Sequence, residues 1–298
     1  MLKKALVVGV GLVAALTLSA CGGSSDPAST DGADSGSSDA LFEVATDFTL
    51  EGSPTFDAID KRGKVIIGVK EDQPGLGFLD AATGERTGFD IEIARWVAAS
   101  IGYDEADIEF KAIPSANRES AIVNGDIDYY VGTYSITDKR KEQIDFAGPY
   151  FVTGQGLLVA KDNTDIKSED DLAGKTVCSA TGSTPIQNIK ENFPDTKTEE
   201  FETYSQCVEA LLDGSVDAVT TDQAILLGYA SQQPDELKVV GEPFTVENYG
   251  VGIQKGDDVF RTHVNELFTD GGDTWQAIYD ATLGQSGSKV TQPEVDAY

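Results

Sequence analysis

The chain repeats itself, and the repeat limits what it can fold into more than any other feature. Residues 121–128 read AIVNGDID and residues 210–217 read ALLDGSVD, with apolar positions, glycine and closing aspartate in the same places. Continued in register, Thr133 of the first copy falls opposite Asp222 of the second. Upstream, Gly63-Lys64-Val65 and Gly174-Lys175-Thr176-Val177 each follow a helical or turn segment and open an apolar strand. Two matched pairs in the same order make coincidence a poor explanation. They predict two successive α/β lobes of one plan, with ligands expected outside the carboxyl ends of the strands.

The local patterns agree with such units. Val65-Ile66-Ile67-Gly68-Val69 is an unbroken apolar run after a turn, as in a strand covered on both faces. Its carboxyl end delivers Lys70, Glu71 and the loop Gln73-Pro74-Gly75-Leu76-Gly77. Phe89, Ile93, Trp96 and Val97 share one helical face, acids occupy the first turn where the dipole favours them, and Gly102 ends the helix. Ile108, Phe110 and Ala112 alternate as a second strand. Ser115 is read as the N-cap of the next helix, with Gly125 at C′. Arg118 then lies in a first turn that disfavours cations, which an anion in front of it would explain. A solvated arginine paired with a nearby acid is the plainer alternative.

Three further stretches suit a ligand with both charges. Val131–Arg140, VGTYSITDKR, reads as a strand whose carboxyl end carries Thr133, Ser135, Thr137 and Arg140. Hydroxyls and a guanidinium can hold a carboxylate there, the alternative being a polar turn with a surface arginine. Ser179–Pro185, SATGSTP, reads as a helix amino terminus with Pro185 at the first helical position, a seat for a carboxylate or simply a well-capped helix. Asp222 follows the strand Ala218-Val219-Thr220-Thr221, where it can meet an ammonium, cap the next helix, or do both.

Composition removes other functions. With 22 basic against 51 acidic residues the net charge is −29, which argues against nucleic acid as a partner. Salt screens that field within about 10 Å, so arginines inside a site decide whether an anion binds. One histidine and three cysteines leave little for a zinc or histidine-based catalytic centre, and no metal or cofactor is expected. Residues 1–20 place Lys3 and Lys4 before a short apolar run, an export signal rather than a spanning helix. Leu18-Ser19-Ala20-Cys21 resembles a bacterial lipobox, implying cleavage before Cys21 and lipid on its sulfur; an ordinary secretory signal is the alternative. Residues 21–54 are read as a flexible tether, order beginning between Phe42 and Phe56. In an exported protein the remaining pair, Cys178 and Cys207, suggests a disulfide, with two buried thiols as the alternative.

The segments GFDIEIARWVA at Gly88, SITDKRKEQIDFAGPYF at Ser135, ATGSTPIQNI at Ala180 and AVTTDQAIL at Ala218 resemble the family 3 extracellular solute-binding proteins, polar amino-acid receptors of ABC importers. The resemblance spans Gly63 to Tyr279. It implies a two-lobed periplasmic-binding-protein-like fold of type II, two α/β lobes joined by two crossing segments near Tyr150–Gly154 and Glu247–Gly250. Lobe 1 would comprise residues 55–152 and 249–285, lobe 2 residues 153–248, and the C-terminal tail 286–298. It assigns Arg140, Ser135 and the Ser183 N–H, in the loop with Thr181 and Gly182, to the ligand α-carboxylate, and Asp222 with the Thr133 carbonyl to the ammonium.

Glutamine receptors usually carry an aromatic where Ser115 stands, and stacking aromatics in the loop here reading Pro74–Gly77; this chain has neither. Ser115-Ala116-Asn117-Arg118 instead resembles a segment of glutamate/aspartate receptors whose arginine holds the distal carboxylate, and Lys70 stands where those carry a basic residue. PSANRE, CSATGSTP and TYSQCVEAL resemble glutamate-binding lipoproteins of Gram-positive glutamate importers. The resemblance therefore implies a monomer on the extracellular face of the cell membrane, lipid-anchored and docking on permease subunits. Its ligand would be L-glutamate, with aspartate, glutamine or asparagine as weaker alternatives. The rival is an enzyme on the same fold, a dehydratase or peptidoglycan-active domain with a carboxylate such as Glu71 as acid or base; a ligand-sensing module is a third reading. An amino-acid clamp without a nucleophile–base constellation favours binding.

Overall fold

The computed structural model describes residues 41–286 and 290–298. The export signal, the lipidation site Cys21 and the tether as far as residue 40 lie outside the described residues.

The first half of the chain builds a βα unit. Helix α1, Pro54–Arg62, is capped by the Ser53 hydroxyl and closed by Gly63 at φ 72°, and it feeds strand β1, Val65–Val69. Short strands β2 (Asp72–Gln73), β3 (Gly77–Leu79) and β4 (Arg86–Thr87) form a small separate sheet. Helix α2, Phe89–Ser100, buries Phe89, Ile93, Trp96 and Val97, the stripe its sequence predicts. Then come β5 (Ile108–Ala112), α3 (Arg118–Val123), β6 (Tyr129–Tyr130), α4 (Asp138–Lys141) and the long β7 (Ile144–Thr153).

The second unit comprises β8 (Gln155–Ala160), β9 (Thr176–Ala180), α5 (Thr184–Asn192), β10 (Lys197–Phe201) and α6 (Tyr204–Leu212). It continues through β11 (Ala218–Asp222), α7 (Gln223–Gln232) and β12 (Leu237–Val240). The chain returns as β13 (Glu247–Gln254) and finishes with α8 (Asp258–Asp270) and α9 (Gly272–Ala281).

The two large sheets run β5-β1-β6-β13-β7 and β10-β9-β11-β8-β12. In each, the first two strands flanking the unit's leading strand are parallel to it, and the other pairings are antiparallel. The chain leaves the first sheet at Gly154 and returns between β12 and β13. Because Thr153 pairs with Glu247, the two crossings lie side by side.

The repeated octets occupy equivalent places. Each closes a helix, turns at a left-handed glycine, Gly125 (φ 71°) or Gly214 (φ 79°), and enters the central strand of its sheet. The closing aspartates act alike: Asp128 Oδ2 accepts the Ile66 N–H at 2.6 Å and Asp217 Oδ2 the Thr176 N–H at 2.7 Å. Each ties the central strand to the start of the leading one.

Several local expectations give way to tertiary contacts. Val131–Arg140 is not a continuous strand; β6 ends at Tyr130, Ser135 makes only an isolated antiparallel bridge with Tyr249, and Thr133 turns to φ 45° with its N–H held by Asp90 Oδ2 at 2.9 Å. Ser115 does not cap α3, because a 3₁₀ turn over Ser115–Asn117 intervenes. Pro185 is the second residue of α5, whose cap is Ser183. Ala112 is exposed because β5 is an edge strand. Residues 41–53 do not behave as tether. Leu41, Phe42, Phe48 and Leu50 pack on the core, and the Ala45 N–H donates to Ala99 O at 2.9 Å. The C-terminal segment likewise covers the other edge strand, β7, with Asp296 N–H on Gly148 O and Phe146 N–H on the Tyr298 hydroxyl, both at 2.9 Å.

Candidate functional site

The site lies where loops after the parallel strands of both sheets meet, and it is rich in buried charge. Thr137 caps the short α4 and holds the Arg140 backbone N–H at 3.3 Å, which presents the Arg140 side chain inward. Its guanidinium donates to Ser135 O at 2.6 Å, to Glu119 Oε1 at 3.1 Å and, across the cleft, to Gly182 O at 3.2 Å. Arg118, the first residue of α3, donates to Ser115 O, Thr133 O and Gly182 O at 3.1, 3.3 and 3.5 Å. Both guanidiniums lie over one ring, Tyr134, at 4.2 Å for Arg118 and 4.9 Å for Arg140. Burial and the neighbouring Arg118 charge push the Arg140 pKa down.

Lys70, just past β1, is 6% exposed and donates to Ser115 Oγ at 2.8 Å. Burial, then Arg118, lowers its pKa to about 7. Among the described residues neither Lys70 nor Arg118 has a carboxylate ion-pair partner; both are satisfied by neutral oxygens alone. Buried charge without a counterion is costly, so this cluster is suited to an incoming anion.

The opposite sign gathers beside it. Asp222 is 3% exposed; its Oδ2 accepts the Tyr249 hydroxyl at 2.6 Å, while Oδ1 has no hydrogen-bond partner. It stands at the N-cap position of α7 without capping it. Burial, then Glu247, raises its pKa to about 8. Glu247 in turn accepts the Thr184 hydroxyl at 2.9 Å, and Thr184 also reaches Ser135 Oγ at 3.3 Å across the cleft. An orphaned Asp222 oxygen is a receptor for a cationic donor.

The structure thus brings together Lys70, Ser115, Arg118, Thr133, Ser135, Arg140, Gly182, Ser183 and Asp222. Two expectations are corrected. Thr181 is exposed at the rim with its N–H on Phe201 O at 2.9 Å. The Ser183 N–H donates to Ala180 O at 3.1 Å, and its hydroxyl caps Ile186. Closure also depends on Gly182, where a Cβ would stand 2.7 Å from Ala116 Cα. A cavity of about 400 Å³ opens beside Arg140, lined from both lobes by Ser115, Glu119, Gly182 and Thr184 among others.

Sequence reasoning missed several participants. Gln73 is fully buried, accepts the Thr133 hydroxyl at 3.1 Å and leaves Nε2 unpartnered. Tyr204, at the start of α6, is buried, and its pKa is pushed up to about 12 by that burial and then by the Asp222 charge. Glu247 and Tyr249 come from the returning crossing strand and carry no local signal. The disulfide expected from the sequence is present: Cys178 and Cys207 are bonded, Cα atoms 5.5 Å apart, tying α6 to β9.

Two α/β lobes with side-by-side crossings and a charged cleft closing between them define a two-lobed solute receptor. The chain belongs to the bacterial extracellular solute-binding proteins, family 3, whose family model matches residues 65–285. It is 42% identical over 256 residues to the glutamate-binding protein GluB of Corynebacterium efficiens, covering 81% of this chain and 86% of that one. It is 40% identical over 246 residues to a glutamine-binding protein of Geobacillus stearothermophilus, covering 83% and 91%. An ancestral arginine-binding protein solved with glutamine superposes with a TM-score of 0.68 at 36% identity, covering 75% of this chain and 99% of the other.

Proposed function

We propose that this protein captures L-glutamate between its lobes and delivers it to the permease of an ABC importer, held at the extracellular face of the membrane by lipid on Cys21. It binds the amino acid without transforming it. Relatives named for glutamate and for glutamine stand at similar identity, so the cleft itself has to separate them.

The carrying observation is the pair of buried cations, Lys70 and Arg118, without a carboxylate partner, next to Arg140 and Asp222. Arg140 suits an α-carboxylate and the free Asp222 Oδ1 an α-ammonium. A second carboxylate on the ligand neutralises part of the remaining positive charge; a neutral amide leaves it uncompensated. Titration calorimetry with glutamate, aspartate, glutamine and asparagine tests this: glutamate binds tightest, and a preference for glutamine would overturn it. Glutamate recovered unchanged after prolonged incubation supports binding over catalysis, and Cys21→Ser should release the protein from the membrane fraction.

A further inference from the structure

A second set of contacts joins the lobes through β2 and the start of the loop that follows it. Asp72 Oδ2 accepts the backbone N–H groups of Tyr204 at 2.9 Å and Ser205 at 3.2 Å, the first two residues of α6 in the other lobe. The Tyr229 hydroxyl, from α7, donates to Asp72 O and stands 3.2 Å from Asp72 Oδ2. Next to it, Gly228 lies on the same loop so closely that a Cβ would come 2.2 Å from Pro74 O.

These contacts are built for the closed arrangement. The first N–H groups of a helix have no partner inside it, and its amino end attracts negative charge. The cap of α6, Thr203, takes only the Gln206 N–H, leaving Tyr204 and Ser205 to a carboxylate from the opposite lobe. Opening the cleft separates Asp72 from all three of its partners at once. Gly228 and Tyr229 stand outside the charged cluster that faces the ligand, whereas the Asp72 carboxylate lies within electrostatic reach of Lys70 and raises its pKa.

We propose that Asp72, with Tyr229 and Gly228, forms a ligand-independent latch that sets the balance between open and closed lobes and thereby scales affinity for every ligand alike. This rests on reading the chain as a receptor that closes on its solute, but not on which amino acid it takes. An apparent Kd equals the intrinsic value divided by the closure-competent fraction, so a weaker latch raises every Kd by one factor.

The test uses the mature protein and the variants Asp72→Asn, Tyr229→Phe and Gly228→Ala, with L-glutamate and L-glutamine as probes. Calorimetry gives both Kd values, and spin labels on the two lobes give the closed population without ligand. The latch predicts that Tyr229→Phe and Gly228→Ala each weaken both ligands about tenfold, with the glutamate-to-glutamine ratio held within about twofold and fewer closed molecules; Asp72→Asn lowers the closed population in the same way and also shifts the ratio, because it removes a charge near Lys70. Gly228→Ala acts by sterics alone, so agreement between the two variants ties the effect to closure. Unchanged Kd values and closed population in Gly228→Ala and Tyr229→Phe would overturn the latch, as would a shifted ratio in either of them. If native protein binds neither probe, the receptor reading fails while the spin-label distances still decide the latch. Should Asp72→Asn not fold, Tyr229→Phe carries the same readouts.

Discussion

Replacing Arg118 by methionine is the most direct perturbation of ligand choice. Methionine keeps an unbranched apolar stem against Tyr134 but removes the guanidinium, which is 2% exposed and bonded only to three backbone carbonyls. If the distal carboxylate of glutamate pairs with this group, its removal breaks a buried ion pair, worth about 3 to 5 kcal/mol, or roughly 10² to 10⁴ in Kd. Glutamine never formed that pair, and its binding also escapes the cost of burying an uncompensated cation. Its Kd should therefore move by less than about tenfold in either direction. Any general damage from lost carbonyl contacts weakens both ligands equally and cancels in the ratio. Titration calorimetry of native and variant protein with both amino acids reads that ratio. Loss of both ligands by the same factor would refute the assignment and leave Arg118 as a structural tie between α3, Thr133 and Gly182.

Proton counts give an independent check. Asp222 rises from 3.8 to about 8, so at neutral pH its carboxyl mostly holds a proton that an incoming ammonium displaces. Lys70, lowered to about 7, takes up a proton when a second carboxylate arrives. Slightly above neutral pH glutamine should release more protons than glutamate in calorimetry across buffers of different ionisation enthalpy, and equal counts would remove Lys70 from the site. The raised Asp222 also makes ligand-free stability fall as pH climbs from about 4 to about 8, because only the folded state keeps the proton; Asp222→Asn should flatten that slope in melting scans. Reducing the Cys178–Cys207 bond, whose cysteines are 29 residues apart, should cost about 3 to 4 kcal/mol and lower the melting temperature by roughly 10 °C. Gly182→Ala adds a Cβ at φ 78° that meets Ala116, and it should weaken glutamate and glutamine together by roughly tenfold or more. Unaltered affinity would show that the lobes close without this contact.

Much of the architecture was legible because it is written in near neighbours. The apolar run of β1, the stripe on α2 and the repeated octets each express a period or a turn that a few adjacent residues impose. The hydroxyl-rich entry to α5 was readable on the same grounds, and so was the cysteine pair confined to one lobe. Errors arose where a distant group overrode local preference. Asp90, 43 residues away, holds Thr133 out of the strand its sequence favours, and Lys70, 45 residues away, holds the Ser115 hydroxyl that was read as a cap.

The residues alone determined two α/β units of one plan and the chemical types available to a site: guanidinium and hydroxyls in one half, a helix tip and a carboxylate in the other. Only the tertiary structure decided that Lys70 and Arg118 are buried with no carboxylate in contact among the described residues, that Tyr249 leaves one Asp222 oxygen free, and that Asp72 reaches α6. These are properties of two lobes meeting. Desolvation and charge balance depend on which remote segments close on one another, and no spacing along a chain encodes that distance.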